Sequence, residues 1–106
     1  MPTFGPIGAE PRRVRPPYGE PDRSLHLPMF GIETTDQWRA RVHADRVAAL
    51  LEPLADMEVS HFERRQLEWL ARWETGTVAA VAALLHRARA AAPLASGGHR
   101  PKRGER

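Results

Sequence analysis

SHFERRQLEWLARWETGTVAAVAALLHRARAAA, residues 60–92, decides the fold of this chain. It holds two helix signals, SHFERRQLEWLARW and TVAAVAALLHRARAA, with only Glu74, Thr75 and Gly76 between them. Ser60 and Glu63 stand at capping-box spacing, where the hydroxyl accepts from the backbone N–H three residues on and the carboxylate reaches back to the N–H of Ser60. The first signal predicts a helix over His61–Trp73. Phe62, Gln66, Trp69, Leu70 and Trp73 share one of its faces. Opposite them Arg64, Glu68 and Arg72 form an i,i+4 ladder, worth a few tenths of a kcal/mol per pair and most simply solvated. The second signal predicts a helix from near Thr77 until Pro93 ends it, with a buried seam of Val78, Val81, Leu85, Ala88 and Ala92 and with Leu84 beside it. Its alanines favour helix and permit close approach of another backbone. Joined by so short a turn, the two helices are expected to form an antiparallel hairpin.

Upstream, Thr34 and Gln37 make a second capping box. Ala40, His43, Val47, Leu50, Leu51 and Leu54 then recur at spacings of three and four, an amphipathic stripe that packs on the hairpin. Pro53 has no N–H to donate and ends or kinks this helix near Leu51, leaving Leu54–Val59 as a connector. Trp38, Val42 and Ala49 form a second apolar strip on roughly the opposite face. Either the N-terminal arm covers that strip or another chain binds it, so these three are the candidate partner-binding residues.

The chain ends read differently. Seven of the ten prolines precede Met29, and only Pro53 interrupts Thr34–Ala92. Residues 1–33 are therefore expected to be a disordered Pro/Gly-rich arm, residues 34–92 a helical domain, and residues 93–106 a disordered basic tail. Within the arm, Arg15-Pro16-Pro17-Tyr18 has the composition of a polyproline II segment, and Leu25–Ile32 is apolar enough to fold back on the helices. A domain of roughly sixty residues is marginal as a monomer, and with no cysteine it has no disulfide or thiolate metal site to reinforce it. No apolar run approaches the roughly 20 residues that span a bilayer, and the start lacks the basic-then-apolar order of a secretory signal. The expectation is a soluble cytoplasmic protein without a membrane partner.

A pI near 10.5 suggests nucleic acid until the charge is placed. Four basic residues balance four acidic ones in 1–33, and eight balance eight in 34–92. The entire net charge of +3 belongs to the tail, through Arg100, Lys102, Arg103 and Arg106 against Glu105. These four basic residues are the candidate nucleic-acid contacts, and so few give only weak, salt-sensitive, non-specific affinity. A helix-turn-helix reading of 60–92 meets a recognition helix that opens Thr77-Val78-Ala79-Ala80-Val81, with one hydroxyl to offer base edges.

Other chemistry finds no constellation. Glu58 and His61 straddle a helix start and share no face, so no metal is expected. His43 lies on the apolar stripe as a partly buried, hydrogen-bonded histidine. Ser60 is the one serine of the domain and its cap accounts for it, which leaves no nucleophile on a rigid scaffold. Gly97-Gly98 precedes no helix that could hold a phosphate. No catalytic residue and no cofactor are therefore expected.

The segments ADRVAALL, ERRQLEWLARW and TVAAVAALLHRARA, within Arg41–Ala92, resemble small proteins of high-GC actinobacteria of plasmid and prophage type. No activity goes with that group, so the resemblance implies a cytoplasmic protein and carries over no functional residue. The sequence thus points to an all-α fold, a three-helix unit between two arms. Its expected function is non-enzymatic, the presentation of an apolar helix face to a protein partner or to a second copy, with accessory nucleic-acid binding by the tail as the alternative. Trp38, Trp69 and Trp73 are the candidate anchors, tryptophan being enriched among residues that dominate interface energies. Filling the core is an equal reading for Trp69 and Trp73, and Trp38 is the one expected outside.

Overall fold

Thr34 and Ser60 each open a helix by the cap their sequence spells. Thr34 Oγ1 accepts from the Gln37 N–H at 3.0 Å while Gln37 Oε1 accepts from the Thr34 N–H at 2.8 Å. The Ser60–Glu63 pair repeats this at 3.1 and 2.9 Å. The structure, a computed structural model, describes residues 3–23 and 31–96. Helix α1 spans Thr35–Leu51, followed by a 3-10 turn at Glu52–Leu54 that buries Pro53. Helix α2 spans His61–Leu70 and α3 spans Thr75–Ser96. The described residues contain no strand, so the fold is all-α.

Two helix ends differ from the sequence reading. The chain leaves α2 at Ala71 rather than Trp73, through bonds from the Arg72 N–H to the Trp69 carbonyl and from the Trp73 N–H to the Leu70 carbonyl. These are three-residue closures, which tighten a helix end into a turn. Helix α3 does not stop at Ala92 but reaches Ser96, past Pro93. The hydrogen bond that a proline lacks is lost there near the helix end, where about one turn remains.

Helix α1 is the hub. It touches α3, the 3-10 turn and α2, whereas α2 and α3 meet little beyond the turn that joins them. The core comprises Val47, Ala49 and Leu50 of α1, Ala71 after α2, Val78, Ala79, Ala82 and Ala83 of α3, and Val14 from the arm. Leu51, Leu67, Leu70 and Val81 pack around it, partly buried. The buried seam of α3 is thus turned from the one expected. Leu84 is 58% exposed, Ala88 is exposed and Leu85 only half-buried, while the alanines face inward. Helix separation depends on the side chains at the contact, and methyl groups on α3 let it approach α1 closely. On α1, Ala40 is exposed although the stripe included it.

Polar ties fix the angles between these helices. Arg46 of α1 donates from Nη1 to the Trp73 carbonyl at 2.8 Å and from Nη2 to Thr75 Oγ1 at 2.9 Å, which clamps the α2–α3 turn. His43 donates from Nε2 to the Glu68 carbonyl at 2.8 Å, holding α2 to α1 as the partly buried, hydrogen-bonded histidine expected. Arg89 of α3 pairs with Asp56 in the connector.

Residues 3–23, within the Pro/Gly-rich arm, carry no helix or strand, and they lie along the helices as a strap. Phe4 stacks on His86 with ring centroids 3.7 Å apart. Glu10 and Pro11 then cross the start of α3 at Gly76, where a Cβ would lie 3.4 Å from Glu10 Cγ. Val14 is 4% exposed within the core. Arg15 makes a forked contact, donating from Nε to both Glu52 oxygens at 2.9 and 3.0 Å and from Nη1 to Asp45 Oδ1 at 2.8 Å. These two carboxylates hold its guanidinium above the ordinary arginine range, against the opposing effect of burial. The stretch with the composition of polyproline II is folded back on itself, with the Arg12 N–H donating to the Tyr18 carbonyl at 2.8 Å. Ile32 is 80% exposed. Residues 24–30, the rest of the apolar segment expected to fold back, lie outside the described residues.

Candidate functional site

The three residues read as a partner strip do not form one. Ala49 is 1% exposed and belongs to the core. Trp38 and Val42 are half-buried and line a cavity of about 210 Å³ whose other wall is the arm, at Arg12, Arg13, Val14 and Pro21. Of the two covers open to this strip, the strap is the one the structure shows.

The tryptophans exchange roles accordingly. Phe62 is 70%, Trp69 55% and Trp73 51% exposed, and α2 contributes no buried residue of its own. The inward positions of α2 are Leu67, Leu70 and the following Ala71. At 100° per residue the opposite direction on α2 falls on Phe62, Arg65 and Trp69, and Arg72 and Trp73 follow in the exposed turn beyond the helix. Trp69 and Trp73 meet edge to face, with ring centroids 5.9 Å apart. That arrangement fixes both rings without burying either. Arg64 pairs with Glu68 at 3.2 Å as the ladder predicted. Arg65 and Arg72 make no ion pair with a described residue. The outward face is therefore aromatic, with two uncompensated positive charges set among the rings.

Beside this face the connector and α2 enclose a hollow of about 320 Å³, lined by Leu54, Met57, Val59 and Leu67 with Glu58 and Glu63 at its rim. Met57 is 49% exposed. Sequence reasoning grouped Phe62, Trp69 and Trp73 and left core and anchor as equal readings for the two tryptophans, but it placed Leu70 with them, which packs inward instead. The signal that decides the matter is the short apolar set Leu67, Leu70 and Ala71, to which α2 commits its contact with α1.

Ser60 is engaged in its cap, and among the described residues no three histidines and carboxylates converge as a metal set. No described helix is long and apolar enough to cross a membrane. Arg100, Lys102, Arg103 and Arg106, the candidate nucleic-acid contacts, lie outside the described residues.

The chain matches no known protein family, no curated protein and no solved structure. The resemblance to actinobacterial proteins accordingly rests on its quoted segments alone.

Proposed function

We propose that this is a non-enzymatic interaction protein, and that its docking surface is the outward face of α2 rather than the Trp38 strip of α1. One observation carries the reading. A helix that a full capping box specifies buries none of its own residues, yet it presents Phe62 and Trp69 to solvent, with Trp73 exposed in the turn that follows. Large aromatics in a small chain stabilise far more when buried than when exposed, so three left outside on α2 and its closing turn call for a cover.

The residue types support a protein partner. Tryptophan and arginine are the residues most enriched at binding hot spots. Phe62, Gln66 and Trp69 fall at i, i+4 and i+7 of α2, the spacing by which one helix seats in an apolar groove. The start of α3, by contrast, is poorly placed to enter a nucleic-acid groove, since Val78 and Ala79 are buried and the strap crosses at Gly76. The partner is a protein in the cytoplasm or a second copy of this chain.

The test compares Trp69→Ala and Trp73→Ala with the parent chain, by chemical denaturation and by affinity capture and sedimentation. A docking role predicts stability within about 1 kcal/mol of the parent, as for surface substitutions, together with loss of the partner or of self-association. A fall of about 3–5 kcal/mol, the cost of removing a buried aromatic, would assign both rings to the core and end the proposal.

A further inference from the structure

With the outward face of α2 taken as the docking surface proposed above, the charges set into it limit what can cover it. Arg65 and Trp69 of α2 and Arg72 of the following turn line one open hollow of about 510 Å³, against His43 of α1. Neither arginine has an ion pair with a described residue. The other polar groups of the hollow are engaged, Glu68 with Arg64 at 3.2 Å and His43 with the Glu68 carbonyl at 2.8 Å. What is left is two guanidinium groups beside an indole. Guanidinium N–H groups suit the oxygens of a carboxylate.

Gln66 borders this hollow and also the apolar one formed by Leu54, Met57, Val59 and Leu67. The second carries Glu58 and Glu63 where the first carries arginines. The two hollows that meet at Gln66 therefore differ in sign as well as in polarity. A chain laid across Gln66 meets both at once. It needs an apolar side chain for one and a carboxylate for the other, and Glu58 and Glu63 repel an acidic group from the wrong hollow.

Other covers fit less well. Nucleic acid supplies anions but no aliphatic side chain, and two arginines are few for a phosphate backbone. A second copy using the same face would meet itself across a two-fold axis. That contact gathers Arg65 and Arg72 of both copies, and like charges at an interface are costly.

We infer that the partner of the α2 face is an acidic amphipathic helix of another protein. A helix sets a carboxylate one turn from an apolar residue on the same side, which is the pairing the two hollows require. Its apolar anchor enters the hollow between the connector and α2. Its carboxylates accept from Arg65 and Arg72 beside Trp69.

The test is fluorescence anisotropy of the full chain against three labelled synthetic helical peptides that share one leucine stripe. Beside the stripe the first carries glutamates, the second glutamines and the third lysines. The glutamate peptide should bind about fivefold or more tightly than the glutamine one at low salt, the combined weight of two exposed ion pairs, and the lysine one should bind most weakly. Added salt should narrow the gap. Arg65→Gln with Arg72→Gln should remove the preference for glutamate, whereas Arg87→Gln on α3 should keep it, and thermal melts check that each variant folds. Equal binding of the glutamate and glutamine peptides, still abolished by Trp69→Ala, would overturn the inference and leave the docking face standing. A core-sized loss of stability in Trp69→Ala would instead remove the face itself. Failure of the glutamate peptide to bind, or a preference that survives loss of both arginines, would also overturn it. So would a dimer that Trp69→Ala dissolves, which gives the face to a second copy, or tighter binding of a single-stranded oligonucleotide, which gives it to nucleic acid.

Discussion

Val14→Ala asks whether the strap belongs to the fold. Val14 is 4% exposed and sits with Val47, Ala49, Leu50 and Val78. The substitution removes two methyl groups, about 1.6 kcal/mol of transfer free energy at about 0.8 per group. The space left behind adds a cavity cost, of order 24 cal/mol per Å³ that fails to collapse. Collapse should be substantial, because an arm without regular structure can shift toward the gap. The expected loss is therefore about 2 kcal/mol. Urea denaturation followed by helical circular dichroism reads this directly, as a lowered midpoint at constant slope. By heat the same loss corresponds to roughly 8–16 °C for a domain of this size. Leu50→Ala, at a site wholly buried between α1 and α3, serves as the scale at about 2–5 kcal/mol. If Val14→Ala costs under about 0.5 kcal/mol while Leu50→Ala costs its full share, the arm is not part of the cooperative unit. The packing described for Val14 would then be wrong, and the cavity it encloses would go with it.

Ser60→Ala should cost about 1 kcal/mol through loss of the cap, measured by the same denaturation. If a binding activity vanished with stability intact, Ser60 would have a role beyond capping. Phe62→Ala should leave stability within about 1 kcal/mol of the parent, because the ring is 70% exposed; a core-sized loss would turn α2 round. Tyr18 carries a buried hydroxyl without a partner, and burial raises its pKa above 10.0. The folded state therefore favours the neutral phenol, a contribution complete below the unfolded pKa and lost as pH rises through the folded one. Absorbance at 295 nm should show Tyr18 ionising later in the native chain than in urea, and equal midpoints would refute its burial. Tyr18→Phe should be neutral or stabilising.

Local signals were legible in the sequence because their causes are local. The two capping boxes and the stop at Leu51 before Pro53 need only residues three or four apart, and the structure reproduces each. The all-α class follows from the same periodicities. What a single helix cannot encode is the direction its neighbours lie in. Helix α2 has aromatics on one side and Leu67 and Leu70, with Ala71 after it, on the other, and its sequence alone leaves core and anchor as equal readings for Trp69 and Trp73. The seam of α3 was misread for the same reason, with larger residues chosen over the alanines that permit the closest contact. The arm was legible in its composition but not in its path. Its prolines exclude regular structure, but they do not prevent Val14 and Arg15 from docking at points 30 or more residues away in the chain. The Trp38 strip was recognised as needing a cover, and the cover was in the same chain.

The alanine seam has a further consequence for how much of this sequence the fold dictates. Most cores are vulnerable to loss of volume, but here the packed face of α3 is already close to the smallest it can be. Glycine at Ala79, Ala82 or Ala83 would remove one methyl each, whereas any branched or aromatic side chain would push α3 away from α1 and take the clamp at Thr75 with it. Those three alanines are specified. Ala88, Ala90 and Ala91 on the exposed side are not, and serine, glutamate or lysine would serve there as well. A run that looks like uniform low-complexity alanine is in this respect two interleaved texts, one fixed by contact and one free to drift.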